Sequence, residues 1–111
     1  MKITISSEGK GLDSNVDSVF GRCKYFIVAE VKDGNVEKFE AIENTGIAEG
    51  GSGISAARTV AENGAEAVIT GNIGPRALDV LEQFKIKAYR GSGSVQEVLQ
   101  KLAEGKLERI G

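Results

Sequence analysis

Tyr25-Phe26-Ile27-Val28-Ala29-Glu30-Val31, with Asp33-Gly34 close behind it, is the stretch on which the fold turns. Dense β-branched and aromatic side chains favour a pleated, half-buried backbone, and Asp-Gly suits the two central residues of a tight hairpin. The chain should therefore rise along one strand, reverse at residues 33–34 and return from Asn35 to Ile42. Along that return the alternation is blurred: Phe39 and Ala41 share one face while Val36 and Ile42 share the other. An edge strand carrying a bulge would read this way.

Working outward, Ile3 and Ile5 alternate with Lys2, Thr4 and Ser6, the period-two pattern of another strand with one face buried. From Ser7 to Asn15 the residues are turn formers, with Leu12 as the single anchor of a surface loop. Downstream, Ser52 is placed to cap a helix with Ile54, Ala57, Val60 and Ala61 as its stripe and Asn63-Gly64 as its stop. Ala67-Val68-Ile69-Thr70 is a short apolar run between two helical patterns, as expected of a central parallel strand covered on both faces. Pro75 suits the first position of a second helix, whose stripe is Ala77, Leu78, Leu81 and Phe84. A brief strand, Ile86 to Tyr89, leads to a capping box at Ser94-Val95-Gln96-Glu97 and a third helix built on Val95, Val98, Leu99 and Leu102. Gly105 stops it, and Leu107 with Ile110 is placed to lay the tail back on the core. The order β-β-β-α-β-α-β-α predicts an α/β fold with a five-stranded mixed sheet, order 3-2-1-4-5, strand 2 antiparallel, and helices on both faces.

The 111 residues, 41% hydrophobic and 27% charged, suit one domain spanning residues 1–111. A net charge of -2 offers no basic face for phosphate backbones, so general nucleic-acid binding is not expected. The N-terminus lacks the apolar run of a signal peptide, and no stretch approaches the roughly 18 apolar residues that span a bilayer. A cytoplasmic location without membrane contact is the expectation. One cysteine and no histidine leave few metal ligands and no internal disulfide. Glu8, Asp13, Asp17, Glu43, Glu49 and Asp79 are scattered, so neither a two-metal centre nor an acid–base pair is evident, and a binding protein is favoured over an enzyme.

Three glycine-rich segments each lead into a helix: Gly50-Gly51-Ser52-Gly53, Gly71-Asn72-Ile73-Gly74 and Gly91-Ser92-Gly93-Ser94. Glycine lets backbone approach a ligand, and the free N–H groups at a helix N-terminus favour an anion. The plainer reading is that each glycine merely makes a tight turn. The binding reading places Gly51, Ser52, Gly53, Gly71, Asn72, Gly74, Gly91, Ser92, Gly93 and Ser94 around one pocket, with Arg22 and Cys23 at its rim. Arg22 and Lys24 flank Cys23, and neighbouring cations could favour the thiolate that binds soft metals, although a free cysteine is more often just a small hydrophobe. No segment matches a P-loop or a dinucleotide fingerprint.

Phe20-Gly21-Arg22-Cys23-Lys24-Tyr25-Phe26, taken with Glu43-Asn44, Gly51-Ser52-Gly53 and Gly71-Asn72-Ile73-Gly74-Pro75-Arg76-Ala77, resembles the dinitrogenase iron-molybdenum cofactor biosynthesis family over nearly the whole chain. Phe20, Gly21, Arg22, Cys23 and Phe26 fall on that family's FGR-x-x-x-F segment, and Gly71, Gly74 and Ala77 on its second glycine-rich turn. The resemblance implies a ribonuclease-H-like, three-layer α/β/α fold. It also implies the binding of an iron-molybdenum cofactor or an iron-sulfur precursor, as in NifX-type carriers and the C-terminal domain of NifB-type proteins. The expected function is thus a small carrier for an anionic metal-sulfur cofactor, with Cys23 as a candidate metal ligand and a homodimer as one way to complete the site. A metal-free module binding a small anion or nucleotide is the alternative, and a ribonuclease-H-like hydrolase a more remote one.

Overall fold

The computed structural model describes residues 1–45 and 53–111, so Glu49, Gly50, Gly51 and the expected cap Ser52 lie outside the described residues. The elements are β1 (Lys2–Ser7), β2 (Tyr25–Lys32), β3 (Asn35–Glu43), α1 (Gly53–Glu62), β4 (Ala67–Thr70), α2 (Pro75–Gln83), β5 (Lys87–Arg90), α3 (Val95–Ala103) and β6 (Glu108–Ile110). A single turn of 3-10 helix, Phe20–Arg22, precedes β2.

Among the described residues one mixed sheet runs β3-β2-β1-β4-β5-β6. β2 is antiparallel to both β1 and β3, whereas β4 runs parallel to β1 and to β5. The hairpin turns at Asp33 and Gly34 with φ of 53° and 80°, the doubly positive geometry that matches the twist of the strands. The expected bulge is present: Val31 faces Val36 but Glu30 faces Lys38, leaving Glu37 as the extra residue of β3.

The sheet has six strands rather than the expected five. The tail does pack inward, Leu107 toward the α3 side and Ile110 toward the α1/α2 side. It also adds β6 antiparallel to β5, with Ala88 facing Ile110, Tyr89 facing Arg109 and Arg90 facing Glu108. The free edge of β5 supplies unpaired backbone groups, and three residues are enough to satisfy part of it. So short a segment carries almost no periodic signal of its own.

Side chains of alternate strand positions divide into two cores. Phe26, Val68 and Ala88 join Ala56, Ala57, Val60, Ala77 and Leu81 of α1 and α2 on one face. Ile3, Ile5, Ile27 and Ile69 join Val95, Val98 and Leu99 of α3 on the other. All four residues of β4 are buried, as a central strand covered by helices on both sides requires. Burial of each large aliphatic side chain here contributes about 1.5–3 kcal/mol relative to exposure. Two expected stripe positions are not part of it: Ile54 lines the cleft at the start of α1, and Phe84 is 58% exposed, because it caps the C-terminal end of α2 and no longer follows the helical stripe. Among the described residues no helix is long and apolar enough to cross a membrane.

Candidate functional site

β1 and β4 run parallel and end side by side, so the chain leaving each strand meets the other at one edge of the sheet. There Ser6 Oγ lies 2.8 Å from Thr70 Oγ1 and 2.9 Å from the Asp17 carbonyl oxygen, a buried polar tie between both strands and the incoming loop. The Gly71 N–H donates to Asp17 O, and the Phe20 N–H donates to Asn72 O. A Cβ added at Gly71 would fall 2.6 Å from the Ser18 Cα. Gly71 therefore serves the close approach of two backbone segments, and that approach holds the Phe20–Arg22 turn beside the start of α2.

The result is a cleft of about 430 Å³ walled by three pieces of chain. Val19 to Arg22 form one wall, Gly53 and Ile54 at the start of α1 the second, and Gly74 to Ala77 at the start of α2 the third. Gly53 matters for spacing, since a Cβ there would stand 3.2 Å from the Ala77 Cβ and push α1 away from α2. Gly74 opens on the cleft, with nothing within 4 Å of the position its Cβ would take. At the N-terminus of α2, Pro75 has no N–H to offer, and the Arg76 and Ala77 N–H groups find no acceptor among the described residues. Arg22 and Arg76 are both exposed and form no ion pair among the described residues. Two free guanidinium groups and the positive end of a helix dipole thus share one concavity, the setting in which an anion is stabilised.

Cys23 stands apart from the cleft lining. It is 0% exposed within the α1/α2 core, its Sγ donating to Phe20 O at 3.3 Å. Burial first, and the charge of Asp17 second, push its thiol up from 9.0 to about 12. The expectation that Arg22 and Lys24 favour the thiolate is overturned, because both point to solvent while the sulfur is desolvated. Asn44, which sequence reasoning did not single out as a site residue, holds this turn from below. Its Nδ2 donates to Gly21 O at 3.2 Å and to Cys23 O at 3.0 Å.

The third glycine-rich turn does not join the other two. α3 packs on the opposite face of the sheet, so Gly91, Ser92, Gly93 and Ser94 are not part of the cleft. Its first N–H groups are already engaged: Ser94 with Glu97 Oε1, Val95 with Ser14 O, Gln96 with Leu12 O, and Glu97 with Ser94 Oγ. Gly91 is a packing position, since a Cβ would stand 2.9 Å from both Ile69 and Val98 side chains. Of the glycine and polar positions expected around one pocket, Gly53 and Gly74 line the cleft, Gly71 and Asn72 support it from behind, and Gly51 and Ser52 lie outside the described residues. Among the described residues no group of three or more histidine, cysteine or acidic side chains assembles.

Residues 1–105 match the family described as dinitrogenase iron-molybdenum cofactor. An uncharacterised protein of Methanocaldococcus jannaschii is 34% identical over 99% of this chain and 96% of its own length. The apo form of the orange protein from Desulfovibrio gigas superposes with a TM-score of 0.90 at 29% identity, covering 99% of this chain and 92% of that one. A candidate NifB protein of Thermotoga gives a TM-score of 0.79 at 36% identity, over 97% and 91% of the two chains.

Proposed function

Since the chain belongs to the dinitrogenase iron-molybdenum cofactor family, we propose that it is a small carrier whose cargo is an anionic metal-sulfur cofactor or precursor, held in the cleft between the Phe20–Arg22 turn and the starts of α1 and α2. The observation that carries this reading is that Arg22, Arg76 and the N–H groups of Arg76 and Ala77, all without a partner among the described residues, gather at one concavity. Charge-assisted hydrogen bonds of this kind contribute about 1.5–3 kcal/mol each.

The donor set fits an anion and does not fit a protein–metal bond. Cys23 is buried and firmly protonated, and the chain has no histidine. The cargo is therefore bound through its outer sulfur or oxygen atoms, with its own ligands complete. A role in binding rather than in bond making is the reading we favour, since among the described residues no nucleophile or general base lines the cleft. Likeness to the orange protein, solved in an apo form, supports a protein that exists with and without a bound group. The same donors suit phosphate, which makes a metal-free anion or nucleotide the competing ligand class.

Anaerobic titration with tetrathiomolybdate, a soluble metal-sulfur anion, tests the reading. Saturable binding that weakens about tenfold in Arg22→Ala and again in Arg76→Ala is expected, each step being about 1.4 kcal/mol. Cys23→Ala should bind like the parent. No saturable binding by the parent protein overturns the carrier, and binding of ADP or phosphate in its place would favour the metal-free module.

A further inference from the structure

The sheet ends on one side at β3, nine residues long, and among the described residues nothing pairs with its outer edge. Exposed edges of this length are normally blunted, and this one carries a bulge at Glu37 and four charges, Glu37, Lys38, Glu40 and Glu43. The order of those charges relative to the backbone bonds is what makes the edge specific.

The direction of the free bonds follows from the ladder. Met1 and Val31 exchange two hydrogen bonds, each 2.8 Å, so the backbone groups of Val31 point toward β1. Alternation along an antiparallel strand then turns Glu30 and Val28 toward β3, where they face Lys38 and Glu40. Lys38 and Glu40 spend their backbone groups on β2, and Phe39 and Ala41 direct theirs outward. Phe39 is also 43% exposed, one of the few large hydrophobic side chains on the surface.

We infer that the outer edge of β3 docks a second copy of the same strand, antiparallel about a two-fold axis at Phe39. In this register Phe39 pairs with Phe39 of the other copy through its free backbone groups. Lys38 of each copy, whose Nζ lies 3.7 Å from Glu30 Oε2 of its own chain, faces Glu40 of the other and would be shared between the two carboxylates, with an aromatic pair on the opposite face. Shifting the axis by one position breaks this match: centred on Glu40 it opposes two carboxylates, and centred on Lys38 two ammonium groups. Of these three registers, only the one at Phe39 matches both the outward backbone groups and the charges. The bulge at Glu37 keeps the paired stretch short, so the association is reversible. It does not rest on the ligand reading of the cleft, which is built from other elements.

Sedimentation velocity over a concentration series reads the association directly. The parent chain should dimerise reversibly, Lys38→Glu and Glu40→Lys should each weaken the dimer about tenfold through like-charge contacts, and the double exchange Lys38→Glu with Glu40→Lys should restore it. Circular dichroism and urea midpoints of each variant separate lost pairing from lost folding. As a second readout, Phe39→Cys should form a disulfide-linked dimer on mild oxidation, since Cys23 is buried and does not compete. A monomeric parent chain at every concentration, or a double exchange no better than either single one, overturns the proposal. If the charges serve only to blunt the edge, the Phe39→Cys variant stays monomeric under oxidation, which also overturns it.

Discussion

Raising the pH should weaken this fold through one buried thiol. Cys23 is fully enclosed, and desolvation by burial, then the charge of Asp17, raises its thiol from 9.0 to about 12. Below the ordinary value both folded and unfolded chains keep the proton, and the group is silent. Between 9.0 and about 12 the unfolded chain releases the proton while the folded chain holds it, so stability falls as the pH rises and levels off only above the folded value. The slope for one such group is about 1.4 kcal/mol per pH unit, which accumulates to about 3 kcal/mol near pH 11, a large part of the ~5–15 kcal/mol typical of a domain. The measurement is a difference that isolates this thiol: urea unfolding of the parent and of Cys23→Ala at each pH. At neutral pH the alanine variant should be less stable by roughly 1–2 kcal/mol, having lost buried sulfur contacts and the bond to Phe20 O. That gap should close as the pH climbs and then reverse in favour of alanine. A gap that stays constant from neutral to alkaline pH would show that the thiol is not held protonated by burial.

Two further substitutions test the supports of the cleft and of the opposite face. Gly71→Ala places a Cβ against the Ser18 backbone, which cannot move aside as a side chain would, and should cost about 1–3 kcal/mol in urea unfolding while lowering anion affinity. Unchanged stability would mean that the two segments are not in contact in solution. Ser94→Ala removes the cap that accepts from the Glu97 N–H and should cost about 1 kcal/mol. It should leave binding at the cleft untouched, and a loss of binding would put α3 back into the site.

The core of the fold was legible because its signals are local and strong. Asp33-Gly34 dictates a tight reversal whatever surrounds it, Ser94 and Glu97 cap each other within one turn, and Ala67 to Thr70 is too short and too apolar for anything but a central strand. What escaped reading depends on partners remote in sequence. β6 exists because β5 would otherwise end the sheet, and nothing in Glu108-Arg109-Ile110 announces that neighbour. Phe84 fits the helical spacing of Leu81, but the chain leaves the helix there, and Lys85 takes a positive φ of 60° at the turn.

The candidate site was half legible for a related reason. Glycine declares that something comes close to the backbone, without declaring what. At Gly74 the space stays open and becomes part of a cleft, whereas at Gly91 it is filled by Ile69 and Val98, and at Gly71 by the backbone of Ser18. The free N–H groups of a helix are equally ambiguous until the rest of the chain has been laid down. Those of α3 are met by the carbonyl groups of Ser14 and Leu12, because the loop after β1 crosses that end of the sheet. The same loop continues to the Phe20–Arg22 turn and reaches the start of α2, but there it presents Arg22, a donor, instead of carbonyl acceptors. One loop therefore consumes the anion-binding capacity of one helix and adds positive charge beside another. Among the described residues the start of α2, unlike that of α3, keeps free donors beside added positive charge, and the test of function belongs there.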